Sequence, residues 1–314
     1  MKRIKYQIVI FILCFIWGFG ETSCNQDEVF EKEQYKNVFA LISGDNNVYS
    51  EFFDLSQLES SGYVSVSCGG SNKITRDINI LLVEDQTLLD NYNKVNYDVD
   101  YANYALSLPA DKYDIDGYRM TIKSGTTGAE LPVRIRPNGL SPDSVYFLPL
   151  KIDTHDTYEA NPEKSYVLYR VMLKNRFARS DGNTYYTMRA KQSVGGGGEL
   201  ETPGTKIMHP LSGNRVRIMV GTTAFVSDVT TLKQSAIILE VDDDDNVRIL
   251  PYGDIEVTTV DGDPDFPNIF KIEDDGYATY KTFLLRYNYA VEGVTYEMKE
   301  ELRLSFNPDD EENS

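Results

Sequence analysis

The segment that decides the fold is residues 280–306, YKTFLLRYNYAVEGVTYEMKEELRLSF. Its second half alternates between apolar and charged positions, which is the period of a strand with one face in a core. The residues that share the apolar face are Tyr296, Met298, Leu302 and Leu304. Residues 280–289 form a partner run, and Val291-Glu292-Gly293 provides turn chemistry between the two. The segment therefore predicts a β-hairpin.

Most of the remaining sequence has the same strand-like character. Further strand patterns lie at 63–68, 77–83, 120–123, 131–136, 145–152 and 165–173, and then at 185–193, 215–220, 236–241, 247–251, 255–260 and 269–273. Clusters of Gly, Pro, Asn and Asp separate these runs and favour turns. One short helix is predicted at 84–92, where Leu88, Leu89 and Tyr92 have helical spacing. The sequence thus predicts an all-β protein.

Chain length and one polar break indicate two domains. A chain of 314 residues exceeds what a single hydrophobic core usually covers. The break lies at 174–184, a polar segment without apolar periodicity. Strand spacing before it is typical of an immunoglobulin-like β-sandwich over 37–174. The antiparallel run over 184–307 suits a small β-barrel, which closes its own sheet edges, and 308–314 forms an acidic tail.

The N-terminus has the pattern of a signal peptide. Residues 2–5 carry three basic side chains and residues 8–19 are almost entirely apolar. The apolar run is too short to span a membrane, which needs about 20 residues. We therefore expect residues 1–23 to be removed after export.

Cys24 follows the predicted signal peptide directly. The sequence Glu21-Thr22-Ser23-Cys24 resembles a bacterial lipobox, with Glu21 where the pattern has an aliphatic residue. This resemblance implies lipidation of Cys24, while a cleaved signal with an unmodified cysteine is the alternative. The acidic residues that follow resemble the signal that exports Bacteroidetes lipoproteins to the outer face of the outer membrane. We expect 24–36 to form a lipidated acidic tether, although a merely solvated segment has the same composition.

Charge and residue inventory exclude several classes of function. The net charge of −18 repels nucleic acid and anionic lipid, so neutral glycans or cations are the compatible partners. Neither His155 nor His209 lies beside a nucleophile motif, and Cys68 in a strand pattern is expected to be a buried apolar residue. Acidic clusters at 242–245 and 261–265 lack the ligand spacing of a calcium loop and are interpreted as solvated turns. We predict no catalytic residue, metal or cofactor.

Aromatic residues are the remaining candidates for binding. The chain has 22 tyrosines, and protein sugar sites stack rings against pyranoses while polar side chains bind the hydroxyls. Four tyrosines cluster within thirteen residues, at Tyr92, Tyr97, Tyr101 and Tyr104. In predicted loops of the second domain, Tyr252, Asp265 and Phe266 are the candidate glycan-binding residues. Half-buried strand tyrosines are the alternative interpretation, and the one tryptophan lies in the signal peptide.

Several short motifs resemble surface lipoproteins encoded in Bacteroidetes polysaccharide-utilisation loci. The motifs are Tyr92-Asn93, Leu108-Pro109 with Tyr113, residues 122–125, residues 146–150, residues 214–217, residues 251–253 and the closing hairpin. The resemblance implies an immunoglobulin-like first module, a lipocalin-like second module and binding of extracellular polysaccharide or oligosaccharide. It also implies a position near an outer-membrane glycan importer complex, with the lipid as the only membrane attachment.

The sequence therefore predicts a non-catalytic, lipid-anchored glycan-binding protein on the outer face of the outer membrane. A structural or fimbrial-type assembly subunit is the alternative, because such subunits are also lipidated pairs of β-domains. A glycan-processing enzyme is the third hypothesis. With 49 acidic residues, a pair of carboxylates cannot by itself indicate a glycosidase.

Overall fold

The computed structural model describes residues 35–309. The predicted signal peptide, Cys24 and residues 310–314 of the predicted tail lie outside the described residues. Within residues 35–309, none of the helices has the length and apolar character needed to span a bilayer.

The first domain is a β-sandwich. Its elements are β1 (Val38–Leu41), β2 (Val48–Asp54), β3 (Ser60–Gly69), β4 (Ile78–Glu84), α1 (Gln86–Tyr97), β5 (Leu106–Ser107), β6 (Tyr113–Asp114), β7 (Arg119–Ile122), β8 (Gly128–Ile135), β9 (Tyr146–His155), β10 (Glu159–Ala160) and β11 (Tyr166–Lys174). One sheet has the order β10-β1-β3-β8-β6 and the other β2-β11-β9-β4-β7, with β5 parallel to β9. Side chains from both sheets fill one core, in which Cys68 is buried.

The second domain consists of two curled sheets. Its elements are β12 (Tyr185–Val194), β13 (Leu200–Glu201), β14 (Gly204–Ile207), β15 (His209–Ser212), β16 (Arg215–Met219), α2 (Val229–Ser235), β17 (Ala236–Val241), β18 (Val247–Pro251), β19 (Glu256–Thr259), β20 (Ile269–Asp274), β21 (Thr279–Val291) and β22 (Val294–Phe306). The larger sheet has the order β13-β12-β22-β21-β19, with β14 on β12 and β20 on β21. The smaller sheet is β15-β16-β17-β18. Both sheets pack on one core, so the predicted all-β, two-domain fold class is confirmed.

The hairpin predicted over residues 280–306 is present. Strands β21 and β22 pair from Thr279 opposite Phe306 to Val291 opposite Val294. Glu292 and Gly293 form the turn, with φ values of 52° and 78°. Two successive residues with positive φ form a type I′ turn, whose twist matches that of the flanking strands. Met298 is fully buried, as the alternation predicts.

The predicted helix is present and longer than expected. It begins at Gln86 and ends at Tyr97, and the Asp85 side chain caps it by accepting a hydrogen bond from the Thr87 backbone N–H at 3.0 Å. Helix α2 was not predicted, because its seven residues are too few to establish a helical period.

A partly buried ion pair connects the two domains. Arg217 on β16 is 1% exposed, and its guanidinium binds both carboxylate oxygens of Asp143, in the loop before β9, at 2.6 and 2.5 Å. Within the predicted boundary segment, Asn175 donates from Nδ2 to the carbonyl oxygens of Ser212 and Arg215 at 2.7 and 3.0 Å. The junction is thus fixed by hydrogen bonds and charge as well as by chain connection.

Candidate functional site

Helix α1 lies on the sheet that contains β9 and β11. Leu89 anchors it, since this side chain is 1% exposed and packs with Phe147 and Leu168. Asn93 fixes the chain that follows, because its side-chain amide donates to the Ala105 carbonyl at 2.9 Å and accepts from the Ala105 N–H at 2.8 Å. Leu88 and Tyr92 pack against the same cluster, and most other positions of the helix are exposed.

A groove of about 280 Å³ runs between α1, β11 and the turn before β2. We call it the helix groove, and its lining includes Asn46, Asn91, Tyr92, Val95, Asn96 and Tyr166. None of its lining residues carries a formal charge. It combines amides and phenols, which donate and accept hydrogen bonds, with apolar ring and aliphatic surface.

Several polar groups of the helix groove are available to a ligand. The side chains of Asn46 and Asn91 make no hydrogen bond to any residue within 35–309. Asn96 donates from Nδ2 to the Tyr92 carbonyl oxygen at 2.7 Å, which orients its amide and leaves Oδ1 as an acceptor. A sugar hydroxyl both donates and accepts, so this set of amides matches its hydrogen-bonding pattern.

A row of four tyrosines leads away from the helix groove. Tyr92 rests edge-on against buried Phe147, with ring centroids 4.9 Å apart. The ring centroids of Tyr92 and Tyr97 are 6.4 Å apart. Those of Tyr97 and Tyr104 are 6.3 Å apart, and those of Tyr104 and Tyr101 are 5.1 Å apart. Tyr104 is pinned because its hydroxyl donates to the Asp98 carbonyl oxygen at 2.6 Å. Tyr101 is 72% exposed and offers its ring to solvent.

Two hydroxyls in this row, those of Tyr92 and Tyr104, stay protonated. Burial raises the pKa of Tyr92 above its usual value of 10, and the neighbouring Tyr97 adds to the increase. Burial also raises the pKa of Tyr104. Both hydroxyls are therefore neutral at physiological pH and add no charge to the surface.

A second groove, of about 250 Å³, lies on the outer side of the larger sheet in the second domain. We call it the loop groove, and its lining includes Arg189, Lys191, Glu201, Pro203, Phe266 and Glu301. The candidate Phe266 lies in it, and the candidate Asp265 is the exposed residue next to it.

The candidate Tyr252 lies elsewhere. Its half-buried ring packs with Met219, Leu232 and Ala236. The Arg217 guanidinium lies over this ring, 4.8 Å from its centroid. One side of the ring is thus occupied, and Tyr252 lines neither groove.

The histidines occupy two different settings. His155 is exposed and packs edge-on against Phe39, with centroids 5.1 Å apart. His209 is buried and stacks on Phe225 at 4.6 Å.

Burial raises the pKa of the Cys68 thiol, which favours its unreactive form. Residues 35–309 contain no group of three His, Cys, Asp or Glu side chains placed to hold a metal ion.

Sequence reasoning identified part of the helix groove. The tyrosine cluster was singled out, whereas Asn46, Asn91, Asn96 and Tyr166 were not. The high density of Asn and Tyr in the helix sequence QTLLDNYNKVNY was the available signal. Asn46 and Tyr166 come from distant parts of the chain, and only the parallel pairing of β2 with β11 brings them to the helix.

Two family models match the chain. One, described as an N-terminal domain, matches residues 30–159, and the other, described as a C-terminal domain, matches residues 165–303. The chain is therefore a two-module protein that joins these two domain types. A search of curated proteins gave no match.

Solved structures from Bacteroides share this fold. A multidomain protein including DUF1735 from Bacteroides ovatus is 14% identical, with a TM-score of 0.60 over 85% of this chain and 94% of its own. A protein of unknown function from Bacteroides ovatus is 18% identical, with a TM-score of 0.59 over 89% and 94%. An auxiliary nutrient binding protein from Bacteroides thetaiotaomicron is 16% identical, with a TM-score of 0.56 over 84% and 92%. At these identities the likeness establishes the fold.

Proposed function

We propose that this chain is a non-catalytic glycan-binding protein, anchored through lipidated Cys24 to the outer face of the outer membrane. In this role it holds polysaccharide or oligosaccharide for delivery to a glycan importer complex. The observation that carries the proposal is the helix groove, in which unpaired amides surround a tyrosine ring. One structural neighbour is named an auxiliary nutrient binding protein, and a binding role for this chain is in keeping with that name.

The chemistry of the helix groove favours a neutral glycan. A pyranose has apolar faces that pack on aromatic rings and hydroxyls that pair with amides. The groove carries no charge, and the net charge of −18 repels anionic polymers. The tyrosine row from Tyr92 to Tyr101 extends the contact surface beyond the groove, which suits a chain of several sugar units.

Affinity electrophoresis in gels that contain neutral polysaccharides tests the proposal. We expect at least one polysaccharide to retard the wild-type protein. The variant Asn91→Ala/Tyr101→Ala should bind about tenfold more weakly, since a lost ring contact costs about 0.5–1.5 kcal/mol and the lost amide adds to it. Both positions are exposed, so the variant should fold normally.

Tyr277→Ala is the matched control, because Tyr277 is 98% exposed and lies in the second domain. It should be retarded like the wild type. Absence of retardation on every polysaccharide would contradict the proposed function. Equal weakening in the control would exclude the helix groove as the site.

A further inference from the structure

The loop groove is a rigidly built surface. Asp263 accepts hydrogen bonds at Oδ1 from the backbone N–H groups of Asp265 and Phe266, at 3.0 and 3.3 Å. Its Oδ2 lies 3.3 Å from Lys299 Nζ and 3.4 Å from Arg286 Nη1, both on the larger sheet. The loop is therefore tied down on the sheet, and the Phe266 ring is held beside β12.

Some of the exposed charged groups around Phe266 have no ion-pair partner, whereas the lining residues Lys191 and Glu301 are paired with Glu199 and Arg303. Arg189 stands directly opposite Glu301 in the pairing of β12 with β22, yet it forms no ion pair with any carboxylate within residues 35–309. Glu201 and Asp265 likewise have no cationic partner within that range. The groove thus presents one free guanidinium and two free carboxylates around an apolar ring.

Other charges on the same sheet are paired, including that of the lining residue Lys191. Glu199 binds both Lys191 and Lys299, at 3.4 and 3.0 Å. Arg286 binds Glu297 at 2.6 Å. The unpaired charges beside Phe266 therefore do not reflect a shortage of partners on this sheet.

From this geometry we infer that the loop groove is a second glycan-binding site, independent of the helix groove and selective for neutral sugar units. Phe266 and Pro203 pack against the apolar face of the sugar, Arg189 donates to its hydroxyls, and Glu201 and Asp265 accept from them. Two free carboxylates against one free guanidinium disfavour uronic acids, as does the net charge of −18. The inference rests on the proposed function for its ligand class, and it makes the chain bivalent.

Bivalence has a measurable consequence. When one polysaccharide spans both grooves, the second contact is intramolecular and overall affinity exceeds that of either site. Loss of either groove should therefore weaken polysaccharide binding at least tenfold, while binding of a short oligosaccharide at the other groove should persist.

Calorimetric titration with cello-, xylo-, malto- and mannohexaose tests the inference. We expect the wild type and the helix-groove variant Asn91→Ala/Tyr101→Ala both to bind the same hexasaccharide. Adding Arg189→Ala should reduce the remaining binding at least fivefold. Arg119→Ala is the matched control, because Arg119 is an exposed arginine on β7 in the other domain.

The outcomes separate the two proposals. If the wild type binds a hexasaccharide and the helix-groove variant binds none, the second site does not exist and the proposed function stands. If Arg189→Ala changes nothing in the helix-groove background, the loop groove is likewise not the second site. If the wild type binds no glycan at all, the proposed function itself fails.

Discussion

At the scale of single residues, His209 has the most unusual environment. The side chain is 6% exposed, and neither ring nitrogen has a hydrogen-bond partner within residues 35–309. Burial, and then the charge of Arg217, lower the pKa of His209 from 6.5 to about 4. The imidazole is therefore neutral in the folded protein at pH values where the unfolded chain already binds a proton.

This difference predicts a pH dependence of stability. As pH falls from about 6.5 to about 4, protonation of His209 favours the unfolded chain, so the free energy of unfolding decreases. The effect is on the order of 2–3 kcal/mol, since one pKa unit corresponds to about 1.4 kcal/mol. The variant His209→Gln should lose less stability than the wild type between pH 7.0 and pH 4.5, as measured by urea unfolding.

His155→Gln is the control for the same experiment, because it makes the same substitution at an exposed histidine. Carboxylates titrate at the low end of this range in all three proteins and cancel in the comparison. Identical pH dependence in the wild type and His209→Gln would show that His209 is not buried in its neutral form.

Asp143 gives a second prediction at this scale. Asp143→Ala leaves the buried Arg217 guanidinium without its carboxylate, and we expect the free energy of unfolding to fall by about 2–3 kcal/mol. Denaturant unfolding of this variant and of Asp243→Ala, an exposed aspartate in a turn, measures the effect. A loss of equal size in both variants would argue against a buried connection between the domains.

The candidate site residues show how far sequence reasoning reaches at this scale. Tyr252 and Phe266 look alike in sequence, because both are aromatic residues in turn-rich loops. In the structure Phe266 lines a groove, whereas Tyr252 is covered on one side by Arg217. Residue type and loop position are visible in a sequence, but the neighbour that occupies a ring is not. Whether Tyr252, Asp265 and Phe266 bind glycan remains a prediction.

At the scale of elements, local patterns identified most of the longer elements. The alternation at 63–68 became β3, and the runs at 236–241 and 247–251 became β17 and β18 with the same bounds. Strands of only two residues were missed, such as β5, β10 and β13, because so few positions cannot establish a period of two. Strand β2 was missed too, since its exposed positions do not alternate with buried ones.

Helix α1 offers a prediction that connects an element to the site. Asp85→Ala removes the N-cap hydrogen bonds to Thr87 and the ion pair with Lys151, whose Nζ lies 2.6 Å from Asp85 Oδ2. We expect a loss of about 1 kcal/mol in unfolding free energy, together with weaker glycan binding because α1 carries the helix groove. Thermal unfolding and affinity electrophoresis measure the two effects.

Asp90→Ala is the control for the cap, because Asp90 is an exposed residue on the same helix that accepts one side-chain hydrogen bond from Gln86 at 3.2 Å. It should change stability by less than about 0.5 kcal/mol. If Asp85→Ala is as stable as Asp90→Ala, Asp85 does not stabilise the start of α1.

At the scale of the whole molecule, the sequence predicted the fold class but not the grooves. Composition, alternation and length predicted an all-β chain in two domains, and the structure confirms that class. The helix groove depends on residues 46, 91 and 166, which are separated by more than 40 positions at each step and meet only through sheet pairing. Contacts of this kind follow from topology, which one sequence does not reveal.

The central claim is that the helix groove binds a neutral glycan. Calorimetric titration tests it most directly. The wild type and the variant Asn91→Ala/Tyr101→Ala are each titrated with a polysaccharide that retards the wild type in gels. We predict measurable binding to the wild type, binding about tenfold weaker in the variant, and unchanged binding in Tyr277→Ala. Equal affinity in all three proteins would contradict the assignment of the groove, and absence of binding to the wild type would contradict the proposed function.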